Sequence, residues 1–315
     1  MNKDDRPLLA PVIFITWVLL LLPCRFAVAQ TDGRSVYDEP FRDCSDCPLM
    51  RMIPAGAIVV RPTFVLQSDG QKFPGTPGPK ARLARIDRPL AVSIFPVTRD
   101  QYARFMLTSG RSVPRGCYHW DVDHWIDDPD RDWSGPGFNQ TADDPVVCVN
   151  FMDAEAYISW LNGQAQSGHP AHDSRLVYRL PTREEQEYAE AGGRTSQYYW
   201  GRHPARTYAN FGGSSCLPCA PASAGADRWV YTSPAGAFPP NPFGLFDTAG
   251  NVWEWSSYCE PDDPPYKECL WGEVHGGSWL DVAESMQRDS FSIFQRDNRN
   301  DTLGFRVVAT REIVP

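Results

Sequence analysis

The apolar residues of this chain change their spacing along its length, and each spacing predicts a different kind of element. Val12 to Leu22 is an apolar run interrupted only by Thr16, preceded by Lys3 and Arg6 and followed by the small residues Ala27-Val28-Ala29. That order of charged, apolar and small residues is the pattern of a secretory signal, with cleavage before Gln30. A bilayer-spanning helix needs roughly 20 apolar residues, about twice what this run offers. Residues 1–29 are therefore expected to be a signal peptide, with no membrane span left after its removal. Residues 30–49 read as a polar lead-in. Alternating apolar positions through Ile58-Val59-Val60 and Phe64-Val65-Leu66 then predict strands, and Gln67 to Arg82, rich in Gly, Pro and Lys, reads as a surface loop.

The spacing next becomes helical. Thr98 is a suitable N-cap, with Tyr102, Phe105 and Met106 at i, i+3 and i+4 on one apolar face. A second helix is expected behind Asn150 or Asp153, with Ala154, Tyr157, Ile158 and Leu161 facing the core. A third starts at Thr182, which forms a capping box with Glu185, and stops at Gly192-Gly193. Beyond Gly193 no helix-length period remains; the sequence predicts short strands, turns and aromatics. No linker or repeat divides residues 50–312, so one α+β, loop-rich domain with little regular secondary structure is expected.

Composition narrows the function. With 42% hydrophobic and 12% aromatic residues the chain is globular. The formal net charge is −9, and loss of Lys3, Arg6, Arg25, Asp4 and Asp5 with the signal leaves the mature chain still acidic. Nucleic acid is not expected as a partner, because phosphate backbones recruit basic surfaces. Of nine cysteines, Cys24 leaves with the signal. The rest fall as neighbours: Cys44/Cys47, Cys117/Cys148, Cys216/Cys219 and Cys259/Cys269. In an oxidising compartment that arrangement is expected to form local disulfides. Two Cys-x-x-Cys pairs can also supply four thiolates to zinc, but here they lie far apart in the chain. Cys117–Cys148 would staple an acidic, Trp-rich insertion from Asp121 to Asp144 in which little periodicity is visible.

Several phrases, in order, resemble one family: Ile53-Pro54-Ala55-Gly56, Pro96-Val97-Thr98, Pro145-Val146-Val147-Cys148-Val149, Arg179-Leu180-Pro181-Thr182-Arg183-Glu184-Glu185-Gln186-Glu187-Tyr188-Ala189, and Asn241-Pro242-Phe243-Gly244-Leu245-Phe246-Asp247-Thr248-Ala249-Gly250-Asn251-Val252-Trp253-Glu254-Trp255, then Gly276-Gly277-Ser278-Trp279 and Leu303-Gly304-Phe305-Arg306. Together they are similar to the formylglycine-generating enzyme (sulfatase-modifying factor) superfamily, over residues 50–310. The resemblance implies a fold related to C-type lectins. Trp253, Trp255 and Trp279 are expected in its core and Arg306 in an ion pair.

Formylglycine-making members carry two copper-binding cysteines between the Gly-Gly-Ser phrase and the closing Gly-Phe-Arg. Here that window, Leu280 to Thr302, contains no cysteine. Tight copper(I) binding needs soft thiolates, so copper is not expected. The catalytic residues stay unassigned. Two functions are then expected of the resemblance. One is oxidative maturation, outside the cytoplasm, of a peptide or small molecule by chemistry that does not use the cysteine pair. The alternative is a non-catalytic binding or scaffold protein, with a peptide, protein or small molecule as partner. Either would be periplasmic or secreted. The resemblance also implies structural calcium. Its second site falls on Asp247, Gly250, Val252 and Glu254, and its first on Asn210, Phe211, Asp227 and Trp229. Two carboxylates and two carbonyls around one tight turn suit a hard cation.

Overall fold

A computed structural model describes residues 39–60, 65–66, 81–112, 114–121, 124–168, 174–212, 228–259 and 269–313. These residues belong to one compact unit, Val36–Pro315. The expected signal peptide, residues 30–38 of the lead-in, residues 67–80 of the expected loop, Cys216, Cys219 and Asp227 lie outside the described residues.

Thr98 caps α1 (Arg99–Ser109) in a capping box with Gln101, and Gly110 closes the helix in the left-handed region at φ 64°. Tyr102 and Phe105 are fully buried, as their spacing predicts. Asn150 and Asp153 share the start of α2 (Phe151–Gly168): the Asn150 side chain accepts the Asp153 N–H at 2.9 Å, and Asp153 accepts the Asn150 N–H at 3.2 Å. Both expected capping residues act, each on the other. Thr182 and Glu185 form the capping box of α3 (Arg183–Ala191), which ends on Gly192 at φ 56°.

The strands form two main sheets. β1 (Met50–Ile53), β5 (Leu90–Ser93), β13 (Val308–Ile313) and β8 (Ser174–Arg179) are antiparallel, in that spatial order. The second sheet runs β12 (Leu303–Gly304), β9 (Trp253–Cys259), β10 (Trp271–His275), β11 (Phe291–Gln295) and β3 (Val65–Leu66). Its outer pairings, β12 on β9 and β3 on β11, are parallel. β2 (Gly56–Val60) pairs with β4 (Arg82–Ile86), so Arg82 opens a strand rather than closing the loop. β6 (Cys117–Asp121) and β7 (His124–Asp128) make a hairpin within the acidic insertion. It was hard to see in the sequence because neither strand buries a clean apolar face: β6 is half-buried beyond Cys117, and β7 mixes half-buried with exposed positions. Trp120 and Trp125 face each other across it, edge to face at 5.3 Å.

Trp253, Trp255 and Trp279 are core residues, each 3% exposed or less. Cys44–Cys47 and Cys117–Cys148 form disulfides, and Cys269 is disulfide-bonded as well. The side chain of Cys259 lies outside the described residues. Among the described residues no helix is long and apolar enough to cross a membrane.

Candidate functional site

The five-stranded sheet places Glu254 opposite His275 in register, and His275 opposite Phe291. Opposed residues point to one face, and so does Glu273, two residues before His275. Across that face lies α3, with Arg183, Gln186, Glu187 and Glu190 at i, i+3, i+4 and i+7, all of them buried. Helix and sheet therefore meet through charged and amide groups where hydrocarbon would be usual.

At one end of this interface the polar groups are matched. The Arg306 guanidinium donates through Nε to Glu254 Oε1 at 3.1 Å and Oε2 at 3.0 Å, and through Nη2 to Oε1 at 2.8 Å. Its other N–H groups meet the carbonyls of Ser93 (2.8 Å), Ile94 (3.0 Å), Phe246 (2.7 Å) and Asp247 (3.3 Å). Glu254 Oε2 also accepts from Gln186 Nε2 at 2.8 Å. The expected Arg306 ion pair is thus an interior one.

At the other end the groups are not matched. Arg183 Nε donates to Glu273 Oε1 at 2.7 Å, Nη2 pairs with Oε2, and His275 Nε2 lies 2.5 Å from Oε1. Burial alone would raise the Glu273 carboxyl, but His275 and Arg183 hold it below its ordinary value. Beside it, Glu187 is completely buried, and neither of its carboxyl oxygens has a hydrogen-bond partner. Desolvation, reinforced by the negative Glu273, pushes Glu187 up to about 8. Glu190 is pushed well above its ordinary value by burial and by Glu254. His275 Nδ1 and Gln186 Oε1 are likewise buried without partners. Of the four carboxyls here, Glu254 and Glu273 each pair with a guanidinium; Glu187 and Glu190 pair with none, and burial raises both.

The turn leading into Glu254 is built from left-handed residues: Asp247 (φ 51°), Gly250 (φ 80°) and Asn251 (φ 69°). A Cβ on Gly250 would collide with the Asn210 carbonyl oxygen, which also accepts the Asn251 N–H at 2.8 Å. Asp247, Gly250, Val252 and Glu254, with Asn210 beside them, are thus drawn into one region. Asn210 donates to the Tyr231 carbonyl at 2.8 Å, Phe211 is buried at 3% exposure, and Trp229 packs against Phe238 at 5.6 Å. Asp247 Oδ2 accepts the Gly236 N–H at 2.6 Å, and burial lifts its carboxyl to about 6. These donors do not fit a calcium ion as arranged, because both Glu254 oxygens already accept from Arg306 and Gln186. On this turn the Glu254 carboxylate is paired with the Arg306 guanidinium.

The window Leu280–Thr302 packs on the far side of the Gly-Gly-Ser phrase. Its short 3₁₀ turn, Ala283–Met286, buries Ala283, Ser285 and Met286 to 2% exposure or less. Ala283 and Met286 join Tyr198, Tyr199, Ala209, Phe211 and Ala249 in one cluster, and Tyr198 Oη donates to the Ala283 carbonyl at 3.0 Å. No side chain in this window can replace a thiolate. Among the described residues, no three His, Cys, Asp or Glu side chains are grouped to hold a metal. On the outer side of the same aromatic cluster lies a cavity of about 510 Å³, lined by Tyr199, Trp200, Tyr208, Pro240, Pro242 and Arg194 among others.

The sequence profile described as "Sulfatase-modifying factor enzyme 1-like domain" matches residues 36–311. A mouse protein named inactive C-alpha-formylglycine-generating enzyme 2 is 28% identical over 84% of this chain and 86% of its own. The formylglycine-generating enzyme of Mycobacterium tuberculosis is 33% identical over 60% of this chain and 65% of its own. Among solved structures, PvdO from Pseudomonas aeruginosa superposes with a TM-score of 0.66 at 24% identity, over 88% of this chain and 99% of that one. CarF gives 0.55 at 21% identity, over 82% and 97%. At such identities the two structures speak for the fold alone.

Proposed function

The chain belongs to the family of sulfatase-modifying factor enzyme 1-like domains, and from that premise we propose a member exported from the cytoplasm that binds a peptide or small molecule and makes no formylglycine. One observation carries this reading: the window that holds the copper-binding cysteines in formylglycine-making members has no thiol here and is sealed by buried Ala283, Ser285 and Met286. What opens to solvent beside it is an aromatic cavity, which suits recognition. Export is supported by the signal pattern of residues 1–29 and by the disulfides Cys44–Cys47 and Cys117–Cys148, which persist in oxidising compartments.

Purified mature protein, incubated with a sulfatase-type cysteine peptide with and without copper, is expected to give no aldehyde above background. Multiple-turnover aldehyde formation would overturn the reading.

The second reading is oxidative maturation that does not use a cysteine pair. It is favoured by the tightly held protons of Glu190 and of Glu187, the latter near Arg288 and Asp289 of the window. Oxidation of a substrate by two electrons releases two protons, and dioxygen would be the acceptor, leaving as hydrogen peroxide. Oxygen uptake matched by peroxide release with a candidate substrate would favour this form over simple binding.

A further inference from the structure

We infer that the cavity behind the window is a binding site for a small ligand that joins an aromatic ring to a carboxylate, with Tyr208 stacking on the ring and Arg194 pairing with the charge. The inference rests on the binding reading above and gives it a chemical class.

The geometry is that of an unfinished stack. Tyr198 lies parallel to Trp200 at 4.9 Å and 15°, and Trp200 lies parallel to Tyr208 at 5.4 Å and 11°. Tyr199 closes the side of this ladder, edge-on to Trp200 at 4.7 Å and 86°. The inner ring, Tyr198, is 3% exposed, whereas the outer ring, Tyr208, is 38% exposed. Trp200 has a ring on each face. Tyr208 ends the ladder in the open, and another ring at the same spacing would extend it. Offset stacking of this kind adds roughly 0.5–1.5 kcal/mol beyond burial of area.

The polar groups choose among ring-bearing ligands. Asn241 lines the cavity, but its amide is spent on the backbone: it donates to the carbonyls of Ala189 and Glu190 and accepts from the N–H groups of Phe243 and Leu245. Ser196 Oγ donates to the Tyr198 carbonyl at 2.6 Å, and Tyr199 Oη donates to the carbonyls of Tyr208 and Pro239. A sugar would need several free amides or carboxylates here, and the lining does not offer them. Among the described residues of the lining, Arg194 is the one charged group, and no Asp or Glu accompanies it. It is exposed and makes no ion pair among the described residues. The adjoining loop from Gly201 to Tyr208 carries the exposed Arg202 and His203 on a chain whose net charge is −9. A locally basic rim on an acidic protein attracts anions, and its pull weakens with salt.

The test uses 4-hydroxyphenylacetate as probe, followed by calorimetry and saturation-transfer NMR on the mature protein. Two controls separate the contributions: 2-(4-hydroxyphenyl)ethanol has the ring without the charge, and cyclohexylacetate has the charge without the aromatic ring. Saturable binding of the probe, tighter than either control, is expected. Arg194→Gln is expected to weaken it about tenfold and to reduce its salt dependence. Tyr208→Leu is expected to erase the preference over cyclohexylacetate. Tyr208→Leu keeps the main-chain carbonyl that Tyr199 uses, so the fold should persist, which circular dichroism will check. No saturation at 10 mM (about 4000-fold weaker than ~2.5 μM binding), or binding unchanged in both variants, would overturn the inference. The aldehyde assay is independent of it, so either idea can fail alone.

Discussion

Glu254 on β9 and Glu187 on α3 are buried at opposite ends of one helix–sheet interface, and the protein handles them in opposite ways. Glu254 meets a fully engaged guanidinium and an amide; Glu187 meets no donor. A carboxylate taken out of water costs several kcal/mol unless it is paired, and the alternative to pairing is to keep its proton. The first site is stabilised by geometry. The second is stabilised by protonation and should weaken as pH rises. Burial alone therefore says little about a charge; what matters is whether its partner is a residue or a proton.

The strongest way to break this contrast is at Arg306. Arg306→Met leaves Glu254 buried with the Gln186 amide but no counter-charge and takes a donor from each of four carbonyls, and we expect a loss of about 4 kcal/mol or failure to fold. In urea titrations, Arg306→Met with Glu254→Gln should lose less than the two single changes added together. Additive losses would mean that the pair is not a unit.

The next effect is on pH. Glu187 has its folded value raised from 4.5 to about 8, so the folded state carries an extra proton between those limits. Its contribution is fully present below pH 4.5 and is lost as pH rises towards 8. The slope can approach about 1.4 kcal/mol per pH unit. Glu187→Gln, which keeps the shape without the titration, should flatten stability between pH 5 and 8 and raise it at the alkaline end. Asp301, also lifted to about 8 by burial, will leave some slope behind. An unchanged profile in Glu187→Gln would show that this carboxyl ionises normally.

The smallest expected effect concerns calcium. With Arg306 seated on Glu254, chelation should leave the melting temperature where it was. A fall on chelation, restored by calcium and weakened by Asp247→Asn, would show that an ion joins the guanidinium on the turn.

How much of this was legible beforehand divides along the same line. Helix starts were legible because caps are local: Thr98, Asn150 and Thr182 act within three residues of themselves. The tryptophan core and the Arg306 ion pair followed from the resemblance. The polar face of α3 did not, because Arg183, Gln186, Glu187 and Glu190 have the spacing of an outward, solvated stripe. Only the sheet residues Glu254, Glu273 and His275, some 60 to 90 positions away, turn that stripe inward. Long-range pairing of polar groups leaves no period to detect.

The four-stranded sheet has a consequence for the order of synthesis. β13 sits between β5 and β8, pairing Val308 with Val92 on one side and with Arg179 on the other. Arg306, just before it, ties the two sheets together. The ribosome delivers this central strand after every other element described. Until it emerges, β5 and β8 have no common neighbour and Glu254 has no counter-ion. The domain cannot close early on a growing chain, and contacts spanning more than two hundred residues also make closure slow.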